Sequence, residues 1–127
     1  MTSATSIKTS IAPWLAVKNG AQAVEFYKAA FNAVELHRLE DPDGNVVSQL
    51  AIDGVDFWLS DDPNNNPETL NGITSRIILT VADPDALFAQ AIEAGATEVF
   101  PVGEGHGWRL GRLADPFGHH WEIGHLL

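Results

Sequence analysis

The chain has 127 residues, 45% of them hydrophobic, enough for one compact unit with a core and too few for two independent ones. Seventeen acidic against seven basic side chains give a formal charge of −10, and the Lys and Arg are scattered from Lys8 to Arg112, which excludes a nucleic-acid partner. Without a cysteine, disulfides, thiolate metal sites and thiol nucleophiles are excluded.

Residues 1–10, MTSATSIKTS, are polar and read as a flexible N-terminus without the apolar stretch of a secretory signal. No later run approaches the roughly 20 apolar residues of a membrane span, so the expectation is a soluble cytoplasmic protein without a membrane partner. IAPWLAV (11–17) reads as a strand. NGAQAVEFYKAAFNA follows with Ala23, Val24, Phe26, Tyr27, Ala30 and Phe31 at the three-and-four spacing of one helix face. AVELHRL, NVVSQLAI and VDFWLS are strand candidates separated by the turns DPDG and DG. A Pro-, Asn- and Asp-rich stretch then divides the chain into module one at 11–61, a linker at 62–73 and module two at 74–127.

Module two repeats the order. SRIILTV is a strand, and DPDALFAQAIEAGA is a helix that Asp83 caps, Pro84 opens and Gly95 closes. TEVFPV, GWRLGRLA and HHWEIGHLL are the remaining strands. Val17 and Val81 end the two opening strands, Gly54 and Gly118 precede the two closing ones, and each pair stands 64 residues apart. Ala30 and Ala94 superpose at the same offset, which points to an internal duplication. The expected fold class is α+β, two tandem β-α-β-β-β modules.

Side chains alternate across a strand, so each strand has a helix-packing face and an open face. Leu15, Val17, Ile77, Leu79 and Val81 should pack, as should Phe57, Leu59, Trp121 and Ile123. Trp14, Asp56, Trp58 and Ser60 are then open in module one, and Arg76, Ile78, Thr80, His120 and Glu122 in module two. His120 and Glu122 share a face that His119 and His125 do not. His37 and His125 read as surface residues, and His119 as a side chain serving the DPFG turn.

PWLAVKNGAQAVEFYKAAFNA, DPDGNV, DFWLSDD, VADPDALFAQAIEAGATEV and GRLADPFGHHWEI together resemble the vicinal oxygen chelate superfamily of glyoxalase I, extradiol dioxygenases and bleomycin-resistance proteins, most closely its PhnB-like branch. The resemblance covers Ile11 to Leu126 and implies a single glyoxalase-like domain at 11–127. It also implies curved mixed sheets around a cleft, often completed by dimerisation, so a homodimer is expected. Metal-dependent members carry one ligand on the opening and one on the closing strand of each module. Those positions fall here on Ala12, Trp58, Arg76 and Glu122, of which Glu122 alone can bind a divalent ion. One carboxylate does not replace the three or four protein ligands of a catalytic metal, so no metal or other cofactor is expected. An ion pair between Arg76 and Glu122 should stand in its place.

Trp14 and Trp58 can wall an apolar or flat ligand, or fill the space left by the ion or meet a partner subunit. His120 and Glu122 can form a hydrogen-bonded cleft pair or, with Gln49, seed a shifted metal site. GEGHGWRLGR (103–112) lacks the ending of a phosphate loop and reads as a flexible loop at the cleft mouth. Arg109 or Arg112 is available there for an anionic group; strand parity does not choose between them, and Arg112 is carried as the candidate. No GxSxG elbow is present.

Three functions follow. The first is a metal-free binding protein for a small organic ligand, held by Trp14, Gln49, Trp58, Arg76, Arg112 and His120 and sequestered as in the bleomycin-resistance members; the overall charge favours a cationic ligand. The second is a lyase, isomerase or dioxygenase using Glu122 as base with a rearranged metal site. The third is an interaction module whose cleft its own side chains fill.

Overall fold

The computed structural model describes residues 10–69 and 76–127. Most of the expected flexible N-terminus (1–9) and the end of the expected linker (70–73) lie outside the described residues. Module one runs β1 (Trp14–Val17), α1 (Gly20–Phe31), β2 (Val34–Glu40), β3 (Val46–Ile52) and β4 (Val55–Asp61). Module two runs β5 (Arg76–Thr80), α2 (Pro84–Ala94), β6 (Thr97–Gly105), β7 (Trp108–Ala114) and β8 (His120–Leu126).

Each module folds into a four-stranded mixed sheet, ordered β1-β4-β3-β2 and β5-β8-β7-β6. In each the opening strand pairs in parallel with the closing one, and the other pairs are antiparallel. Trp14 faces Trp58 across the first parallel pair and Ile78 faces Glu122 across the second, so the 64-residue offset read from the sequence is structural. Gly54 and Gly118 both take positive φ, 81° and 91°, in the turn before the closing strand.

The helices begin and end where their local chemistry dictates. The Asn19 side chain accepts from the Gln22 amide at the start of α1, and Asp83 accepts from the Ala86 amide at the start of α2. α1 stops at Asn32, in the left-handed region, and α2 at Gly95 with φ 125°.

Leu15, Val17, Phe57 and Leu59 of the first sheet and Leu113, Trp121 and Ile123 of the second are buried in one cluster with Tyr27 and Phe31 of α1. The Trp121 ring lies 5.7 Å from Phe57 and 4.7 Å from Phe31, centroid to centroid. The packing faces of the two sheets are therefore turned toward a shared core, and their open faces look away from each other.

A buried carboxylate ties the modules together. Asp115, in the turn between β7 and β8, accepts from the Tyr27 hydroxyl at 2.6 Å and the Trp121 indole N–H at 3.0 Å through Oδ2. Its Oδ1 accepts from the amides of Phe117 (3.0 Å) and His119 (2.9 Å). Burial, reinforced by the charge and hydrogen bond of Asp115, pushes the Tyr27 phenol well above its usual range and keeps it a donor.

Two expectations are corrected. The glycine-rich segment 103–112 is a hairpin: β6 runs on to Gly105, and His106 and Gly107, with φ 53° and 83°, make the two-residue turn into β7. GWRLGRLA is a strand as expected, β7, which pairs with β8 through Trp108 and Leu110; the change concerns 103–106. The His119 side chain reaches past its own turn, to which the residue contributes its backbone amide and carbonyl. Its ring Nε2 lies 2.9 Å from the Ala16 carbonyl oxygen, so it bridges to the free edge of β1 in the other module.

Candidate functional site

The open face of the second sheet carries the polar groups. Strand pairing aligns Arg76 with His120, and Glu122 with both Ile78 and Arg112. The expected ion pair forms: Arg76 Nη1 lies 3.1 Å from Glu122 Oε2, with the arginine side chain 53% exposed and the carboxylate 12%. Beside it, Arg112 Nε donates to His120 Nδ1 at 3.0 Å. Burial, then the Arg112 charge, hold the His120 ring below the usual histidine range. The neutral ring accepts at Nδ1 and so carries its proton on Nε2.

Register also decides between the two arginines of the hairpin. Arg112 shares the face of Glu122, whereas Arg109 faces the helix side and pairs with Asp85 of α2 and with Glu104. A half-open cleft of about 560 Å³ lies on this face between β5, β8 and the β6–β7 hairpin, with Glu122 and Glu104 among its lining residues and Arg76, Arg112 and His120 beside it. Ile78, Phe100, Trp108 and Leu110 supply the apolar lining, and the Gly103 and Gly105 backbone the rim. Of these, Ile78 was legible from strand parity; Phe100, Trp108 and Leu110 emerge once the hairpin register is known.

The open face of the first sheet is more apolar. Trp14 and Trp58 stack, centroids 5.6 Å apart and planes within 7°, and the Trp14 indole donates to the Ser60 hydroxyl at 3.0 Å. Gln49 lies opposite Trp58 and donates to Asp56 at 2.7 Å. The two sheets thus carry the same device: the third strand donates to the residue two before its cross-strand partner on the closing strand, Gln49 to Asp56 in one and Arg112 to His120 in the other.

The candidate residues consequently fall into two groups. Arg76, Arg112, His120 and Glu122 are brought together; Trp14, Gln49 and Trp58 lie on the open face of the other sheet. His37 is exposed as expected, while His125 is partly buried, its Nδ1 2.9 Å from the Val81 carbonyl oxygen.

The metal-ligand positions implied by the resemblance fail a chemical test. Ala12 and Trp58 offer no ligand, and the guanidinium of Arg76 holds the one carboxylate, Glu122. Among the described residues no three His, Cys, Asp or Glu side chains converge as a metal site. An arginine paired with the remaining ligand occupies that carboxylate and opposes a cation electrostatically.

The model of a family described as glyoxalase-like domain matches residues 14–124. The chain belongs to this glyoxalase-like family. The protein Rv0887c of Mycobacterium tuberculosis is 41% identical over 133 residues, spanning 97% of this chain and 78% of that relative. Among solved structures, TioX from Micromonospora sp. ML1 matches with a TM-score of 0.75 at 23% identity, covering 94% of this chain and all of TioX. The fosfomycin resistance protein FosX from Listeria monocytogenes matches with a TM-score of 0.76 at 16% identity and 95% coverage of both chains. At these identities the two structures speak for the fold alone. No helix among the described residues is long and apolar enough to cross a membrane.

Proposed function

We propose that this glyoxalase-like chain, of the PhnB-like branch, binds a small organic ligand without a catalytic metal and acts by sequestering it. The observation that carries the reading is the Arg76–Glu122 ion pair, 3.1 Å long, at positions where metal-dependent relatives keep two ligands. FosX from Listeria monocytogenes has been crystallised with Mn(II) and sulfate; this chain carries Arg76 at a position that the resemblance assigns to a metal ligand. In the alternative reading Glu122 is a catalytic base, but Oε2 is already committed to Arg76.

The cleft is completed by a second copy, with residues 11–127 acting as one domain. Both open faces expose large apolar side chains: Trp14 and Leu39 on the first sheet, Ile78 and Phe100 on the second, between 41% and 62% exposed. Exposed apolar sheet faces of this kind mark interaction surfaces. Placing the Trp14–Trp58 face of one copy over the Arg76–Glu122 face of the other encloses a ligand between an aromatic wall and a polar one, giving two equivalent sites per homodimer.

A thermal-shift screen of metabolites and antibiotics identifies the ligand, since one that binds only the folded state raises the melting temperature. With it in hand, Trp58→Ala and Arg76→Ala should each weaken binding about tenfold or more. Mixed and refolded together, the two variants should regain one intact site per heterodimer, because one copy keeps the tryptophan and the other the arginine. If mixing restores nothing, the cleft does not cross between copies.

A further inference from the structure

Resting on the cleft reading above, we infer that the polar wall selects a small organic anion, a carboxylate or similar oxyanion on an apolar body, in spite of the acidic chain around it. The open face of the second sheet sets two guanidinium groups, Arg76 and Arg112, against one carboxylate, Glu122. Arg76 is matched by Glu122 at 3.1 Å. Arg112 spends Nε on the neutral acceptor His120 Nδ1 at 3.0 Å, and among the described residues no carboxylate pairs with it. One positive charge is thus left over on a half-buried strand position, beside a cleft lined by Ile78, Phe100 and Leu110 whose acidic lining residues are already paired, Glu122 with Arg76 and Glu104 with Arg109 at 3.4 Å.

A charge in such surroundings is costly until paired. The groups around it offer donors: the Nη atoms of Arg112, the outward half of the Arg76 guanidinium and His120 Nε2–H. That is the complement of an oxyanion, and arginine forks match carboxylate geometry in particular. The net charge of −10 is spread over the whole surface and is screened beyond roughly 8 Å at physiological salt, so it does not decide the sign inside the cleft. A facing second copy brings Asp56, whose carboxylate Gln49 holds within its own sheet at 2.7 Å.

Three near-isosteric probes read the sign directly: benzoate, benzamide and benzamidinium, titrated by NMR at fixed ionic strength. Benzoate should bind about tenfold more tightly than benzamide, the difference of one charge-assisted hydrogen-bond set. Benzamidinium should bind more weakly than either. Arg112→Gln should erase the preference for benzoate and leave benzamide unchanged; Arg112→Lys, which keeps the charge, should retain part of it. Equal binding of benzoate and benzamide, or tighter binding of benzamidinium, overturns the inference and leaves the cleft standing. If none of the three perturbs the Trp108 indole or its neighbours, the cleft reading itself fails and this inference with it.

Discussion

Replacing Asp115 with alanine should destabilise the protein more than any other single change at a polar position. The substitution orphans four buried or half-buried donors at once: the Tyr27 hydroxyl, the Trp121 indole N–H and the amides of Phe117 and His119. An unsatisfied buried donor costs roughly 1–3 kcal/mol, so a loss of about 3–5 kcal/mol is expected after partial relaxation. That is a large share of the roughly 5–15 kcal/mol by which a domain of this size is stable. Asp115→Asn, which keeps one carbonyl acceptor, should cost less, and Tyr27→Phe about 1 kcal/mol, since it removes donor and demand together. Urea unfolding of the three variants gives the ranking. A cost below about 1 kcal/mol for the alanine variant would mean that the carboxylate does not hold the modules together.

The second large effect is expected at Gly124, on β8 opposite Leu110. A Cβ added there would lie 2.1 Å from the Arg109 carbonyl oxygen and 2.9 Å from the Leu110 Cα. Both are backbone atoms of the neighbouring strand, so no side chain can swing aside; the strands must part. Gly124→Ala should therefore cost roughly 2–4 kcal/mol, at or above the usual range for overpacking. It should also loosen the register that sets Arg112 opposite Glu122 and weaken ligand binding further than stability alone requires. Gly103→Ala is the matched control. It lies across the same hairpin with nothing within 4 Å of the added carbon, and should change stability by less than about 0.5 kcal/mol. Equal unfolding midpoints for the two variants would contradict the close approach.

The positions legible in the sequence are those set by local period. Leu15 and Val17 alternate with Trp14 and Ala16, and this alone assigns the faces of β1 correctly. The 64-residue offset carries that assignment to β5 and β8; that Arg76 and Glu122 are neighbours is what the resemblance implies, since it sets the opening strand of a module beside the closing one. The illegible features depend on which sheet packs on which. Tyr27 meets Asp115 across 88 residues, and nothing near either residue signals the other. The shared core that turns Trp58 away from Glu122 is likewise a tertiary outcome; the alternation names an open face but not its direction in space. At His119 the turn chemistry was visible, while its bond to Ala16 depends on how the modules dock. In β6 the glycines masked a strand, because glycine weakens the alternation by which strands are recognised.

The proposed metal-free site depends on Arg76 standing where the resemblance puts a metal ligand. Metal content of protein purified without chelator, followed by calorimetric titration with Mn(II), Ni(II) and Zn(II), tests this most directly. Substoichiometric metal as isolated and no saturable binding below about millimolar are expected, because the donors present amount to one carboxylate already paired with a guanidinium. One equivalent of a tightly held divalent ion, lost on Glu122→Gln, would show that Arg76 yields its place and would contradict the metal-free site.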